Sequence, residues 1–198
     1  VGDYGIGVPE LRPDSRYNTD NAMIVDKFAM GTNTLGVVAQ TKDVQGACTQ
    51  YEIMTLIERF DWFMQNAPGT QSVISLPGLA RGVNAGFNEG NIKWRQLPRD
   101  PQVMAQSVTP IDTVTGLLNP DCSAMQVLVF TTDQQGETIA SLVSDVKAFA
   151  KAFNSPRLEF KLATGNVGVM AATNEADDTA RWDMNFAIFG ALLVMCMV

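Results

Sequence analysis

The residue types that carry most enzymatic chemistry are scarce in this sequence. It contains no histidine, which excludes His-based triads, histidine general bases and histidine metal ligands at once. No serine or cysteine has a candidate general base near it in the sequence, so nucleophilic catalysis also lacks support. We therefore predict no catalytic residue and expect that the protein is not an enzyme.

Three segments carry groups that suggest a ligand, and each has a simpler structural interpretation. Residues 14–21 offer side-chain oxygens at alternate positions but lack the glycine and the distal glutamate of a calcium loop. A helix N-cap at Asn18 or Asp20 explains them better. The acidic pair 177–178 belongs to a charged helical stretch and is expected to be solvated. The glycines of segment 165–168 lack both the P-loop lysine and the acidic partner of a dinucleotide site, so no metal or cofactor is predicted.

The three cysteines divide into two groups. Cys196 belongs to an apolar C-terminal run, whereas Cys48 and Cys122 each lie just before a predicted regular element. In an oxidising compartment Cys48 and Cys122 form a candidate disulfide, which would stabilise the fold by ~3–5 kcal/mol in the chain-entropy model. Two buried free thiols are the alternative.

A long connection in the middle of the chain carries the candidate docking residues. Segment 79–122 combines arginines with Phe87 and Trp94 among glycine, asparagine and proline, and connections of this length are often functional. Phe87, Trp94 and Arg95 are the candidate substrate or docking surface. The alternative, which the residue types alone favour, is a lid whose Trp94 packs on the edge of a sheet.

Two strand–helix–strand units are expected to position this connection. The first has a strand at 34–40, a helix with an apolar face, and a strand at 72–76. Thr49 and Glu52 have the spacing of a capping box, which places the start of that helix.

The second unit repeats the pattern, with strands at 125–130 and 158–162 and a helix between them whose apolar face runs from Ile139 to Phe153. Between the units, short helices are predicted at 101–108 and 110–118. Two such units predict an α+β fold of the ferredoxin-like, split βαβ type, with a four-stranded sheet and two helices on one side.

The predicted organisation therefore has five parts. A leading segment with a short helix (1–33) precedes the first unit (34–78), the insertion (79–122) and the second unit (123–168). The last part (169–198) is a helix that leads into an uncharged apolar run from Phe186 onward. Spanning a bilayer takes roughly 20 apolar residues, so we expect a truncated transmembrane segment to begin there, with Trp182 as its interfacial anchor. A fully buried C-terminal helix is the alternative.

The charge of the chain restricts its partners. The net charge is −7 and the isoelectric point is about 4.5. An acidic protein of this kind is not expected to bind nucleic acid or an anionic membrane surface.

Four segments together resemble a known family. They are 1–18 (VGDYGIGVPELRPDSRYN), 66–76 (NAPGTQSVISL), 88–94 (NEGNIKW) and 163–175 (ATGNVGVMAATNE) running into a membrane helix. Their order is similar to that of a periplasmic loop in the RND (resistance-nodulation-cell division) superfamily. The most similar branch contains exporters related to the mycobacterial large membrane lipid transporters and hopanoid transporters.

The resemblance implies a location and a function. Such exporters have twelve membrane helices in two halves, each half with one large extracytoplasmic loop, and this chain resembles the second-half loop better than the first. The resemblance implies a porter domain on the periplasmic side of the inner membrane. Its expected partners are the membrane helices and second porter loop of the same polypeptide, with a homo-oligomer also compatible.

The implied activity is proton-driven export of hydrophobic or amphiphilic molecules, lipid-like or drug-like, by conformational cycling. The proton-relay carboxylates of the family lie in membrane helices, so none is carried over to this chain. A membrane-anchored extracytoplasmic module that binds a lipid or a protein without transporting it is the alternative.

Overall fold

The computed structural model describes residues 12, 14–28, 33–133, 135–164, 180, 184–190, 192 and 195. In chain order the helices and strands are α1 (Arg16–Lys27), β1 (Thr34–Thr41), α2 (Tyr51–Gln65), β2 (Thr70–Ile74), α3 (Leu76–Phe87), α4 (Pro101–Val108), β3 (Ala124–Thr131), α5 (Gly136–Phe153) and β4 (Leu158–Thr164). Short 3-10 turns lie at Ala47–Thr49, Ile92–Trp94 and Thr113–Thr115. Several features of the sequence lie outside the described residues: segment 165–175, the acidic pair 177–178, Trp182 and Cys196.

The four strands form one antiparallel sheet in the order β2-β3-β1-β4. Since β1 and β2 both run antiparallel to β3, which lies between them, they are parallel to each other, and α2 connects them. In the same way β3 and β4 both run antiparallel to β1, which lies between them. They are therefore parallel to each other, and α5 connects them. Two strand–helix–strand units are thus interleaved in a single sheet, which confirms the predicted α+β class and the four-stranded sheet.

One face of the sheet carries the hydrophobic core. Val37 and Ala39 of β1 are fully buried, as are their register partners Val127 and Met125 on β3. The apolar stripes of α2 and α5 belong to the same buried cluster. The apolar residues that alternate along the strands therefore pack against the apolar stripes of the two helices.

An aromatic cluster joins α2, α5 and β4 within this core. The ring centre of Phe149 lies 5.0 Å from that of Phe60 and 5.3 Å from that of Phe160. Phe153, one turn further along α5, lies 4.5 Å from Phe149 at the edge of the cluster. Aromatic pairs at such distances contribute about 0.5–1.5 kcal/mol beyond the burial of their area.

The predicted helix caps are wrong in both places. The side chain of Ser15 accepts a hydrogen bond from the backbone N–H of Asn18, so α1 begins earlier than expected. Thr49 does not cap α2, because its hydroxyl donates to the carbonyl of Gly46 at 2.8 Å within a 3-10 turn. The N-cap residue of α2 is Gln50, whose side chain makes no capping hydrogen bond.

The second strand ends two residues before the predicted position, because α3 begins at Leu76. Ser75 is the N-cap of α3, and its hydroxyl accepts the backbone N–H of Gly78 at 3.2 Å. Pro77 lies in the first turn, where a missing N–H breaks no intrahelical hydrogen bond. Leu76 is fully buried, so it joins the core from a helix and not from a strand.

The insertion between the two units contains more regular structure than expected. α3 was not predicted, whereas the helix predicted at 101–108 is confirmed as α4. The helix predicted at 110–118 is wrong, since only a 3-10 turn forms there. Asp112 caps that turn by accepting the N–H of Val114 at 2.9 Å, and Gly116 ends it with a φ of 73°. A left-handed φ of this kind favours glycine.

Cys48 and Cys122 are joined by a disulfide, with their Cα atoms 5.5 Å apart. Cys48 lies in the 3-10 turn before α2, and Cys122 lies just before β3. The bond therefore ties the end of the insertion to the connection between β1 and α2.

Residues 184–190 are helical. The large apolar side chains described in this part are at least half exposed: Met184, Phe186, Ile188, Phe189, Leu192 and Met195. Their exposure argues against the alternative of a buried C-terminal helix. Within the described residues no helix is both long enough and apolar enough to span a membrane, so the transmembrane segment stays a prediction.

The aromatic cluster predicts a graded response to truncation. Phe149 is 4% exposed, so Phe149→Ala should lower the free energy of unfolding by about 3–5 kcal/mol. Phe153 is 37% exposed, and Phe153→Ala should lower it by about 1–2 kcal/mol. Urea denaturation followed by circular dichroism measures both. Equal losses would contradict the placement of Phe149 at the centre of the cluster.

The disulfide predicts a stability that depends on redox conditions. The bond closes a loop with a sequence separation of 74, so reduction should lower the free energy of unfolding by about 4 kcal/mol in the chain-entropy model. Urea denaturation with and without reductant measures the loss. A variant carrying both Cys48→Ala and Cys122→Ala should show no response to reductant. Peptide mass mapping without reductant that finds two free thiols would contradict the pairing.

Candidate functional site

An open cleft of about 490 Å³ lies beside α2 and α3, on the side where the connection from α3 to α4 passes. Its volume is within the usual range for small-molecule sites, which is about 300–1,000 Å³. The lining residues come from α2, α3, the α3–α4 connection and the start of α4: Tyr51, Glu58, Arg81, Asn84, Trp94, Arg95, Gln96, Leu97, Pro98, Arg99, Asp100 and Val103.

Asn84 holds the α3–α4 connection against α3. This side chain is buried, and its Nδ2 atom donates hydrogen bonds to the carbonyl oxygens of Trp94 at 2.8 Å and Gln96 at 3.1 Å. Leu97, the next residue but two after Trp94, is buried in the core cluster. The backbone around Trp94 is therefore fixed, while the Trp94 side chain stays 49% exposed.

The start of α4 contributes Asp100 and Val103 to the lining of the cleft. Asp100 is the N-cap of this helix, and one carboxylate oxygen accepts the backbone N–H groups of Gln102 at 2.9 Å and Val103 at 3.1 Å. Pro101 follows at the first helical position, which suits its fixed φ. The Asp100 carboxylate is thus engaged in capping.

Three arginines make the lining net positive, because only two carboxylates accompany them. Arg81 forms an ion pair with Glu58, with Nη1 and Oε1 2.9 Å apart. The guanidinium carbon of Arg99 lies 5.7 Å from the ring centre of Tyr51, within range of a cation–π interaction. Arg95 is exposed, and within the described part of the chain it makes no ion pair.

The Nε atom of Arg81 has no hydrogen-bond partner among the described residues, although it is buried. A buried N–H without an acceptor is unfavourable by about 1–3 kcal/mol. Arg81 lines this cleft and also a second one of about 370 Å³, in which Thr55, Asp61 and Trp62 take part. The Glu58–Arg81 pair therefore lies between two open surfaces.

A buried carboxylate fixes α3 relative to α2. Asp61 is 3% exposed, and its Oδ2 atom accepts a hydrogen bond from the hydroxyl of Ser75, the N-cap residue of α3. Its Oδ1 atom accepts a hydrogen bond from Nε2 of Gln65 at 2.8 Å. Because Ser75 also caps the N–H of Gly78, one chain of hydrogen bonds runs from α2 into the first turn of α3. Arg81 follows on α3, so this chain also places the cleft arginine.

Burial raises the pKa of Asp61 above its usual value of 3.8. The hydrogen bond from Ser75, the charge of Arg81 and the hydrogen bond from Gln65 act in the opposite direction, but together they do not outweigh the loss of solvation. The ionised form of Asp61 is therefore less favourable in the folded protein than in the unfolded chain.

The structure brings together two of the three predicted surface residues. Trp94 and Arg95 line the cleft, and Trp94 lies among residues of α2, α3 and α4, whereas the alternative placed it on a sheet edge. Phe87 is 66% exposed in the last turn of α3 and does not line the cleft. The third predicted residue is thus separate from the site.

Sequence reasoning missed the polar residues that support the cleft. Asp61 lies four residues after Ile57 and three before Met64, on the apolar stripe of α2. A carboxylate in such a position signals a buried polar network. Glu58 and Asn84 gave no comparable signal, because their partners are distant in the sequence.

The raised pKa of Asp61 predicts a pH dependence of stability. Because the folded state binds this proton more tightly than the unfolded state, the contribution of Asp61 to stability is full below its unfolded pKa and falls as pH rises through the folded pKa. Compared with Asp61→Asn, the wild type should therefore lose stability as pH rises from about 4.

Asp121 provides a control of opposite sign, since hydrogen bonds from the side chain and backbone of Ser123 lower the pKa of its carboxyl. Compared with Asp121→Asn, the wild type should gain stability as pH rises towards about 4, the unfolded pKa of an aspartate, and should change little above it. Urea denaturation at a series of pH values measures both slopes. Slopes of the same sign for the two pairs would contradict the burial effect at Asp61.

The chain matches no model of a known protein family, and no curated protein sequence is significantly similar to it. The resemblance to RND exporters therefore stays a prediction, and the cleft beside Trp94 is the feature on which a functional proposal depends.

Proposed function

We propose that this chain is the extracytoplasmic porter domain of a proton-driven RND-type exporter of hydrophobic or amphiphilic molecules. In this role the domain binds its cargo and changes conformation, and it performs no covalent chemistry. The observation that carries the proposal is the open cleft, in which a half-exposed Trp94 lies beside guanidinium groups. A lining that combines aromatic and aliphatic side chains with charged ones suits an amphiphilic molecule.

The proposal includes a ferredoxin-like, split βαβ fold. Supporting it, the strand order read from the other edge is β4-β1-β3-β2, with one helix connecting β1 to β2 and another connecting β3 to β4. α2 and α5 share one buried cluster with the same sheet face. In this reading α3 and α4 form the insertion between the two halves of the fold.

The extracytoplasmic location is supported by two independent features. The disulfide between Cys48 and Cys122 is of a kind that persists in oxidising compartments. The exposed apolar side chains between positions 184 and 195 require a nonpolar environment that the described domain does not provide. A membrane next to the domain would supply that environment.

The location can be tested by labelling in intact cells. Val114 is 90% exposed, so Val114→Cys in a Cys196→Ser background should react with a membrane-impermeant maleimide without permeabilisation of the inner membrane. The disulfide keeps the other two cysteines unreactive, and the Cys196→Ser protein without the new cysteine is the matched control. Labelling that requires permeabilisation would contradict an extracytoplasmic domain.

The transport role can be tested on the complete reading frame. We expect about twelve membrane spans in two halves, a second extracytoplasmic loop, and carboxylates buried within the middle helices. Efflux of an amphiphilic dye by cells that express the whole protein should stop when the proton gradient is collapsed. A reading frame with one or two spans would contradict transport and would leave a tethered binding module.

A further inference from the structure

We propose that the cleft selects amphiphiles with an anionic head group, a phosphate or a carboxylate, which Arg95 and Arg99 bind while the apolar chain lies on Trp94. This inference rests on the proposed function, because it names the class of amphiphile that the porter domain accepts.

The charge of the cleft differs in sign from that of the chain. The whole sequence carries a net charge of −7, yet three arginines and two carboxylates line the cleft. Both carboxylates are engaged, since Glu58 pairs with Arg81 and Asp100 caps α4. A local excess of positive charge in an acidic protein attracts anions to this one place.

Arg95 and Arg99 are the guanidinium groups available to a ligand. Within the described residues neither makes an ion pair, and Arg99 lies over the ring of Tyr51 at 5.7 Å. A stacked guanidinium is already ordered, so less conformational entropy is lost when it binds. Its planar fork donates two parallel hydrogen bonds to a phosphate or a carboxylate.

Arg81 adds a donor at the wall of the cleft. Its Nη1 atom is held by Glu58 at 2.9 Å, whereas its buried Nε atom has no acceptor among the described residues. An oxygen of an anionic ligand could act as that acceptor. The ion pair with Glu58 also neutralises the charge of Arg81, which leaves Arg95 and Arg99 as the main source of selectivity.

Two exposed apolar side chains, Trp94 and Val103, line the same cleft as the arginines. Trp94 precedes Arg95 in the sequence, and Ile92, in the same 3-10 turn as Trp94, is 79% exposed. Large apolar side chains exposed beside a charged cleft favour a ligand that covers them. An alkyl chain attached to the bound head group would do so.

The head group can be tested with alkyl probes that share a twelve-carbon chain. Dodecyl phosphate, dodecyltrimethylammonium and dodecyl maltoside, each below its critical micelle concentration, are titrated into the full 198-residue chain and followed by calorimetry. Dodecyl phosphate should bind at least about tenfold more tightly than the other two, and its affinity should fall as salt is added. Inorganic phosphate alone should bind more weakly than dodecyl phosphate.

Variants assign the binding to the cleft. Arg95→Gln together with Arg99→Gln should weaken dodecyl phosphate about tenfold or more and leave dodecyl maltoside unchanged. Trp94→Ala should weaken all three alkyl probes. Arg16→Gln is the matched control, because Arg16 is an exposed arginine on α1, which contributes nothing to the cleft lining. Any binding of alkyl chains by the apolar C-terminal run is common to all variants and cancels in the comparison.

The possible results separate this inference from the proposed function. Equal affinity for the three head groups, with loss in Trp94→Ala, would overturn the anion selectivity and leave an amphiphile cleft. Inorganic phosphate binding as tightly as dodecyl phosphate would overturn the role of the apolar chain. Unchanged binding in the double arginine variant would overturn the placement of the head group in this cleft.

Discussion

The antiparallel pairing of β2 with β3 determines where the cleft forms. Because neighbouring antiparallel strands run in opposite directions, the chain leaves β2 after Ile74 and returns to β3 at Ala124 at the same end of the sheet. Everything between these points, including α3 and α4, is therefore anchored at both ends to one end of the sheet. The disulfide between Cys48 and Cys122 adds a third attachment there, to the connection before α2. The insertion is a long hairpin connection held against α2, and the cleft is the space that remains between them.

The main strands and two long helices could be predicted because their burial is periodic. Val37 and Ala39 alternate along β1, and Ile139 to Phe149 recur with helical spacing along α5. Such patterns reflect one buried face and are independent of the tertiary partner. The helix caps were not predictable in the same way. The hydroxyl of Thr49 donates its hydrogen bond to the carbonyl of Gly46 within a 3-10 turn and does not cap α2. Side-chain hydrogen bonds to nearby backbone groups compete with capping in this way, and the capping-box spacing does not show which of the two forms.

α3 could not be predicted from propensity, because three of its twelve residues are glycine and glycine disfavours helix interiors by about 1 kcal/mol each. Its stability comes from tertiary contacts, since Leu76 and Ala80 are fully buried. The candidate site was likewise predictable only where residue type alone carried the signal. Trp94 and Arg95 could be selected by residue type alone, but their relation to Glu58, which lies 36 residues before Trp94 on another helix, depends on how α3 packs on α2.

The hydrogen bonds of Asp61 place α3 more than they stabilise it. The raised pKa of Asp61 means that lost solvation exceeds the gain from Ser75, Arg81 and Gln65. A buried polar group in that situation adds little net stability compared with an apolar side chain of similar size. An apolar side chain at this position would not orient α3. A hydrogen-bond acceptor there fixes the hydroxyl of Ser75, and Ser75 in turn fixes the first turn of α3. Arg81 lies on that helix and pairs with Glu58 in the lining of the cleft. The geometry of this cleft therefore depends on a carboxylate that is not part of its lining.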